Sequence, residues 1–354
     1  MELGWERGSH SSFRLGGDRS IMTFWPKMLK RAFDREPIAC HLYVTDQCNL
    51  DCHYCTEYDN SVPHPSLEDL KRWIRKIKEL GCIRIGLQGG EPLLHPDIVE
   101  VVQYCKTLRL RTSLSTNGFK LTPKLVRSLE EAGLDSLQVS VDRMTPIPST
   151  LKALKTVIPK LEYLKHSKIP YHISGVLFSE TLAESRQVLE YGFSEGISTH
   201  ARLVHAGPDG GLRVGAGEKA ALSSFIDSMA EAKRQGKQVH TTGPILDYQK
   251  ALLNGGGVDW TCLAGYKYFF VSAKGEFWLC SMNRRPALDI MSVTPDLLKS
   301  YFHKKACQEG CGVYCIVETS MFCNHPFRFV LHEAWDRLQQ KASRLWNRPS
   351  KSFS

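Results

Sequence analysis

Hydrophobic and polar residues form a repeating pattern between about residue 39 and residue 235. Short apolar runs with the length and composition of β-strands occur at 41–45, 83–87, 112–115, 137–141, 171–178 and 201–205. Segments with helical periodicity follow them, at 67–80, 97–108, 123–132, 151–165, 182–191 and 218–235. Strand–helix units in a row predict parallel strands joined by right-handed crossovers.

The number of these units decides which α/β fold the pattern predicts. A closed TIM barrel has eight strand–helix units. The six found here therefore indicate an open, partial (βα)6 TIM-like barrel. Its active site should lie at the carboxyl ends of the strands. Within the barrel, Pro159 predicts a kink or break in the fifth helix.

The pattern changes on either side of this barrel. Residues 266–279 are typical of a β-hairpin, 307–323 of a loop rich in cysteine and glycine, and 330–346 of a basic amphipathic helix. We therefore divide the chain into an N-terminal extension (1–37), a core (38–236), a small cysteine-rich extension (237–329) and a basic helix with a tail (330–354). The apolar, basic segment 25–33 is expected to be a helix docked on the barrel, with binding to a membrane surface as the alternative.

Composition narrows the class of protein. The chain has 354 residues, 42% of them hydrophobic, and a formal charge of +9. It has no apolar run long enough to cross a membrane and no secretory signal. The twelve cysteines are therefore expected to bind metal or act in catalysis in a reducing cytoplasm. The basic residues are scattered, so we expect no nucleic-acid partner.

A closely spaced group of cysteines directly follows the first predicted strand. Cys48, Cys52 and Cys55 have the spacing C-x3-C-x2-C. Three thiolates on one loop can bind three irons of a [4Fe–4S] cluster and leave the fourth iron open. A zinc site is the competing interpretation, in which His53 could supply the fourth ligand.

Further motifs at strand ends connect this group to a known family. Cys48–Cys55, with an aromatic residue before the last cysteine, resembles the signature of the radical S-adenosylmethionine (SAM) superfamily. Gly89-Gly90-Glu91 after the second strand resembles the superfamily's GGE motif. Residues 115–118 after the third strand and 140–142 after the fourth also match. The resemblance covers roughly residues 38–206.

The resemblance implies a SAM site and a role for each motif residue. Glu91 would accept a hydrogen bond from the amino group of SAM, and Gly89 and Gly90 would let the backbone approach the ligand. The remaining contacts would reach the adenine, ribose or methionine parts of SAM, and the residues concerned are Tyr54, Ser115, Asn117, Ser140 and Asp142. Capping of strand ends and formation of turns is the alternative role for the last four.

The C-terminal cysteines resemble a second feature of the superfamily. Cys262, Gly275 and Cys280 have the spacing C-x12-G-x4-C, which is similar to the start of a SPASM or twitch extension with auxiliary [4Fe–4S] clusters. Four further cysteines depart from the SPASM spacing: Cys307, Cys311, Cys315 and Cys323. We expect one or two auxiliary clusters with these six cysteines as candidate ligands. A zinc knuckle built by 307–323 is the alternative.

Together these features predict a radical SAM enzyme. It would cleave SAM reductively to a 5′-deoxyadenosyl radical, which abstracts hydrogen from a peptide side chain or a small molecule. The resemblance also implies a flavodoxin- or ferredoxin-like electron donor. The alternative is a zinc-binding or non-catalytic metal-binding protein on the same fold. The sequence leaves the substrate and the bond changed open.

Overall fold

The computed structural model describes residues 19–204 and 215–332, together with residues 334, 335 and 338. Most of the predicted basic helix at 330–346 lies outside this part of the chain. Within the described residues, no helix has the length and hydrophobicity needed to cross a membrane.

A single nine-stranded sheet forms the centre of the structure, in the order β6-β5-β4-β3-β2-β1-β7-β8-β9. The first six strands are parallel neighbours. Their bounds are β1 Ala39–Thr45, β2 Arg84–Gly89, β3 Arg111–Thr116, β4 Ser136–Ser140, β5 Tyr171–Leu177 and β6 Ser198–Leu203. Because the sheet remains open after six units, the predicted partial (βα)6 barrel is confirmed.

Helices cover the outer face of these strands. They are α2 Leu67–Glu79, α3 Ile98–Thr107, α4 Pro123–Glu131, α5 Leu154–Lys165, α6 Ser179–Ser194 and α7 Lys219–Arg234. All six were predicted, with ends that differ by a few residues. Ser66 caps α2 by accepting a hydrogen bond from the Asp69 N–H. Pro159 does not end its helix, since α5 continues through it.

The C-terminal part extends the sheet beyond β1. Strand β7 (Tyr268–Val271) pairs in parallel with β1, and β8 (Glu276–Trp278) and β9 (Pro286–Asp289) follow as antiparallel strands. The β7–β8 hairpin was predicted, and Gly275 provides its turn with a φ of 77°. Helix α8 (Gly243–Leu253) precedes the hairpin, and α9 (Pro295–Ser300) follows β9. Neither helix was predicted.

The prediction of a loop over residues 307–323 was wrong. Helix α10 (Tyr314–Asn324) occupies most of its second half. Its buried residues include Tyr314, Ile316, Val317 and Phe322, which point in several directions around the helix. A helix that is buried on several sides lacks the single apolar stripe on which sequence-based detection depends.

The N-terminal segment forms a helix that docks on the C-terminal part. Helix α1 (Arg19–Phe33) packs against α10, and the rings of Phe33 and Phe327 are 6.0 Å apart. Lys267 anchors the end of α1 by donating hydrogen bonds to the carbonyls of Arg31, at 2.7 Å, and Glu36, at 3.0 Å. The segment is therefore a docked helix, as expected. Its main helical contact is α10, however, and not a helix of the barrel.

Candidate active site

A cavity of about 280 Å³ opens at the carboxyl ends of the first barrel strands. The cysteine loop after β1, the loops after β2 and β3 and part of the C-terminal region surround it. Its lining combines polar and apolar surface, and the residues are His41, Cys48, Leu50, Cys52, Cys55, Glu57, Tyr58, Gln88, Gly89, Gly90, Glu91, Ser115, Thr116, Asn117, Gln138, Ser140, Lys152, Phe270, Ser281, Val313 and Cys315. The structure thus brings most of the predicted site residues to one place.

The cysteine loop presents three free thiols to this cavity. Asn60 accepts a hydrogen bond from the Cys48 N–H at 2.8 Å, and the Cys55 N–H donates to the Cys52 carbonyl at 2.9 Å. The Leu50 N–H points at the Cys48 sulfur, 3.4 Å away. An N–H···S contact stabilises the thiolate form, which is the form that binds metal.

Burial opposes ionisation of two of these thiols. It raises the pKa of Cys48 and of Cys55, whereas the nearby Lys152 ammonium lowers both. A partly buried thiolate needs a metal or a cation to offset the loss of hydration. The loop therefore provides the thiols, and a bound metal would have to supply most of the stabilisation.

The two glycines of the GGE motif allow β2 to end directly against the cysteine loop. A β-carbon on Gly89 would lie 1.9 Å from the Thr45 carbonyl oxygen, and one on Gly90 would lie 2.3 Å from the Gln47 carbonyl oxygen. Because neither residue has a β-carbon, the backbones can approach, and the Gly90 N–H donates a hydrogen bond to the Thr45 carbonyl at 3.0 Å. Gly89 and Gly90 were predicted to admit a ligand. In the structure they line the cavity and also fix the cysteine loop to the GGE turn.

Glu91 lies at the centre of a hydrogen-bond network. Its side chain is 1% exposed and accepts from the Thr116 hydroxyl at 2.7 Å and the Asn117 N–H at 2.7 Å. The Leu93 N–H is a third donor, at 3.0 Å. Burial raises the pKa of Glu91, and these hydrogen bonds lower it. A carboxylate has about four acceptor positions, so the network holds Glu91 rigidly and leaves capacity for one more donor.

The polar residues at the carboxyl ends of β3 and β4 divide into two groups. Ser115 and Ser140 line the cavity. Asn117 also lines it, but its side chain accepts from the Phe119 N–H at 3.0 Å and donates to Asn49 at 2.9 Å. Asn117 therefore forms the turn that was the alternative to ligand binding.

Tyr54 and Asp142 are not among the residues that line the cavity. The Tyr54 hydroxyl donates to the Asp142 carboxylate at 2.5 Å, and Thr150 donates to the same oxygen at 2.7 Å. The Val176 N–H donates to the other Asp142 oxygen at 3.0 Å. These bonds hold the cysteine loop against the segments that follow β4 and against β5.

Lys152 is a site residue that the sequence did not reveal. Its ammonium donates to the Tyr54 hydroxyl at 3.1 Å and lies 5.3 Å from the centre of the Tyr54 ring. It also lines the cavity beside the cysteine loop. The chain has 46 lysines and arginines, and a lysine in a loop carries no pattern that distinguishes it from the others.

Uncharged polar side chains continue from the cavity into the barrel interior. Gln138 lines the cavity and contacts His172, whose Nε2 lies 3.3 Å from the Gln138 oxygen. His172 stacks on His240 with ring centres 3.7 Å apart, and His200 lies 5.3 Å from His240. Burial lowers the pKa of His172 and of His200, whereas His240 is exposed to solvent. His172 and His200 are therefore neutral hydrogen-bonding groups near pH 7.

Four C-terminal cysteines form a second group. Burial raises the pKa of Cys311, and the thiols of Cys262, Cys280 and Cys307 raise it further. Burial likewise raises the pKa of Cys280 to about 11, with added effects of Cys262 and Cys307. The Gln308 side chain, next to Cys307, accepts a hydrogen bond from the Cys262 N–H at 3.2 Å, so the segments that carry these two cysteines are in contact. The Asn283 N–H points at the Cys280 sulfur, 3.1 Å away.

The two other predicted ligands, Cys315 and Cys323, lie on helix α10. They are eight residues apart on α10, which separates them by about 12 Å along the helix axis. Cys315 lines the barrel cavity. Burial raises the pKa of Cys323 to about 12, and its charged neighbours are Lys267 and Asp34 beside α1. Burial raises the pKa of Cys315 to about 12, and the Cys280 thiol raises it further. Cys315 therefore lies near the four-cysteine group, whereas Cys323 lies beside α1.

The geometry of both groups differs from that of a mononuclear metal site. In the part of the chain that the structure describes, no three histidine, cysteine, aspartate or glutamate side chains converge as the ligands of one metal ion would. In a cubane each thiolate binds its own iron, so a wider arrangement is expected.

The match to a family model identifies the barrel. Residues 42–191 match the radical SAM superfamily, and this part of the chain belongs to that superfamily. The match includes the cysteine loop, the GGE turn and strands β2–β5, all described above. It confirms the resemblance inferred from the sequence motifs.

Curated relatives share the barrel region of this chain. An AdoMet-dependent heme synthase of Methanosarcina barkeri is 31% identical over 158 residues, which are 42% of this chain and 44% of the relative. A probable GTP 3′,8-cyclase of Methanococcus maripaludis is 34% identical over 119 residues, 32% of this chain and 40% of the relative. A PqqA peptide cyclase of Methylocella silvestris is 34% identical over 108 residues, 30% and 29% of the two chains. The chain thus spans less than half the length of these relatives.

Solved structures share the fold over a longer stretch. Streptococcus suis SuiB bound to its precursor peptide SuiA has a TM-score of 0.58 at 14% identity, covering 92% of this chain and 81% of that one. The protein anSMEcpe with bound AdoMet and a Cp18Cys peptide has a TM-score of 0.57 at 17% identity, covering 83% and 98%. The likeness extends past the barrel, so it includes part of the C-terminal region.

The superfamily implies a [4Fe–4S] cluster and SAM as cofactors, and the residues of the cavity fit both. Three thiols free of disulfides lie on one loop, as a cluster with an open iron requires. The same cavity contains an acceptor (Glu91) and a cation (Lys152) of the charges that would complement the ammonium and carboxylate of an amino acid.

Proposed function

We propose that this chain is a radical SAM enzyme that cleaves SAM reductively and uses the resulting radical to abstract hydrogen from a peptide side chain or a small molecule. One observation carries the proposal. Cys48, Cys52 and Cys55 line the same cavity as Glu91, at the carboxyl ends of parallel strands in a partial barrel. This is where such a fold concentrates its catalytic groups.

Each residue of the cavity has a definite task in this proposal. The three thiolates hold the cluster and leave one iron open for the amino and carboxylate groups of SAM. When bound, the cluster supplies the electron that breaks the bond between sulfur and C5′ of SAM. Glu91, fixed by Thr116 and Asn117, accepts a hydrogen bond from the SAM ammonium.

The remaining cavity residues orient SAM and exclude water. Lys152 is suited to pair with the SAM carboxylate, because its ammonium lines the cavity next to the cysteine loop. Ser115 and Ser140 offer hydroxyls to the methionine or ribose part. Tyr54 and Asp142 position the loop and Lys152 without touching SAM.

We further propose one auxiliary [4Fe–4S] cluster, bound by Cys262, Cys280, Cys307 and Cys311. A cubane with all four irons ligated needs four thiolates, and these four influence one another electrostatically. Of the two arrangements expected from the sequence, the separation of Cys315 and Cys323 supports the one with a single cluster. A one-electron role for this cluster is compatible with either class of substrate.

The class of substrate has two candidates. SuiB and anSMEcpe are described with bound peptides, and the PqqA peptide cyclase is named for one. The GTP cyclase and the heme synthase are named for small molecules. The cavity lining combines hydroxyl, amide and imidazole groups with one lysine and two glutamates, which supports a polar substrate of either class.

The test begins with anaerobic reconstitution of the full chain and a count of iron per chain. About eight irons are expected, and addition of SAM and dithionite should yield 5′-deoxyadenosine. The combined substitution Cys48→Ala, Cys52→Ala and Cys55→Ala should remove about four irons and abolish 5′-deoxyadenosine. Cys105→Ala, which changes a fully buried core cysteine, is the matched control and should keep both.

Two results would contradict the proposal. One is formation of 5′-deoxyadenosine by the triple variant at the rate of the unmodified chain. The other is stoichiometric zinc bound through Cys48, Cys52 and Cys55 after oxygen-free purification, with no cleavage of SAM. The second result would support the zinc-binding alternative.

A further inference from the structure

A buried lysine lies beside the four-cysteine group. Lys305 is 7% exposed and immediately precedes the short helical turn Ala306–Gln308, which carries Cys307. Its ammonium donates to the carbonyl oxygen of Cys262 at 3.0 Å and to the carbonyl of Tyr301. The side chain therefore connects the segments that carry two of the four cysteines.

The buried positive charge of Lys305 requires a negatively charged partner. Neutral carbonyl groups cannot take that role. Burying an ammonium ion is costly unless a negative charge offsets the lost hydration. The Lys305 ammonium contacts the backbone of Cys262, and Cys307 lies two residues further along the chain. In the described residues no salt bridge joins Lys305 to a carboxylate.

Two other lysines have a carboxylate close by. The buried Lys267 lies 3.5 Å from an Asp34 carboxylate oxygen. Tyr54 and Asp142 raise the pKa of the half-buried Lys152. Lys305 differs, because the segments that it joins carry cysteines and no carboxylate of the described residues forms a salt bridge with it. Four thiolates around a cubane carry excess negative charge, which matches a buried cation.

We propose that Lys305 is the counter-ion of the auxiliary cluster and raises the cluster's reduction potential. This inference rests on the auxiliary cluster of the proposed function. Reduction adds one electron to the [4Fe–4S]²⁺ core and gives the [4Fe–4S]⁺ core, so the reduced state carries one more negative charge. A fixed cation nearby stabilises the reduced state more than the oxidised state, because net charge is one of the factors that set cluster potentials.

A purely structural role for Lys305 makes a different prediction. Its hydrogen bonds to Cys262 and Tyr301 would then stabilise the fold without affecting the redox couple. The reduction potential separates the two roles, because folding stability alone does not shift it when the cluster remains fully bound.

The experiment isolates the auxiliary cluster in the full-length chain. The Cys48→Ala, Cys52→Ala and Cys55→Ala substitutions remove the SAM-binding cluster, and the parent should retain about four irons. Its potential is measured by electron paramagnetic resonance during a dithionite titration with redox mediators. The variants are Lys305→Met, Lys305→Arg and the control Lys304→Met, which changes an adjacent lysine that is 70% exposed.

Lys305→Met is expected to shift the midpoint potential to more negative values, whereas Lys305→Arg and Lys304→Met stay near the parent. Loss of iron in Lys305→Met with retention in Lys305→Arg would overturn the inference in favour of the structural role, because arginine keeps donors for the two carbonyl groups. Equal potentials in Lys305→Met and the parent, with full iron in each, would overturn this inference and leave the auxiliary cluster in place. Loss of iron in both Lys305 variants would overturn it in favour of the structural role. A parent without iron would instead overturn the auxiliary cluster itself.

Discussion

The two groups of cysteines are assembled in different ways. Cys48, Cys52 and Cys55 lie within eight residues on one loop, and two glycines fix that loop to the next strand. Cys262, Cys280, Cys307 and Cys311 span about fifty residues and come from the flanks of a hairpin and from a later loop. A local motif can be recognised from its spacing, whereas a dispersed site depends on how separate segments pack.

The same contrast applies to the charges around each group. Lys152, beside the first group, is tied to Tyr54, and Asp142 supplies a carboxylate in the same network. Lys305, beside the second, donates to carbonyl groups and faces thiols. The lysine beside the first group therefore has a carboxylate in its hydrogen-bond network. The lysine beside the second group depends more strongly on the negative charge of the cysteine ligands.

The largest expected effect tests which cysteines belong to the dispersed group. Cys307→Ala should remove about four irons per chain, because a fully ligated cubane needs four thiolates. Cys323→Ala should leave the iron content unchanged, since Cys323 lies beside Lys267 and Asp34. Cys315→Ala should also leave the iron content per chain unchanged.

The measurement is iron and sulfide per chain after anaerobic reconstitution. If Cys323→Ala lost as much iron as Cys307→Ala, the four-cysteine assignment would be wrong and a second auxiliary cluster would become the better explanation. Cys82→Ala, at a fully buried barrel cysteine, controls for general effects of removing a thiol.

The barrel site was largely predictable from the sequence, and the C-terminal site only in part. Strands and amphipathic helices of the barrel have clear periods, and the motifs at strand ends have fixed spacing. Helices α8 and α10 are buried on several sides, so neither shows an amphipathic period. Because α10 was taken as a loop, the sequence did not reveal that Cys315 and Cys323 lie apart on one helix.

The division of roles inside the cavity also depends on packing. Tyr54 and Asp142 sit at motif positions, yet they bond to each other instead of lining the cavity. Lys152 and Gln138 do line it, although neither belongs to a recognised motif. Spacing identifies which loops meet at the site, whereas the direction of each side chain follows from contacts between distant segments.

A second expected effect concerns Glu91 in the local group. Glu91→Gln should reduce SAM cleavage by about 100-fold, because it removes the charge of a hydrogen bond worth about 1.5–3 kcal/mol. Thr116→Val removes one donor to the carboxylate but keeps its charge, so a loss of about tenfold is expected. The measurement is 5′-deoxyadenosine formed per chain, with iron content checked in each variant. Unchanged cleavage in Glu91→Gln would show that the buried carboxylate acts only on the fold.

The smallest expected effect concerns the lysine that the sequence did not reveal. Lys152→Met should weaken SAM binding by about tenfold, because a charge-assisted bond to the SAM carboxylate is lost. Cleavage at saturating SAM should change less, since the iron ligands remain. Lys155→Met, at an exposed lysine of the adjoining helix, is the matched control.

The Lys152 test also distinguishes a direct contact from a positioning role. If Lys152 acted only by holding Tyr54, Tyr54→Phe would weaken SAM binding as much as Lys152→Met, because it removes the same hydrogen bond. A direct contact predicts that Tyr54→Phe retains most of the affinity, since the ammonium still faces the cavity. Equilibrium binding of SAM to the reconstituted, oxidised protein measures this without turnover. Equal affinities for Lys152→Met and the unmodified chain would remove Lys152 from the SAM site and leave the local group without a cation for the carboxylate.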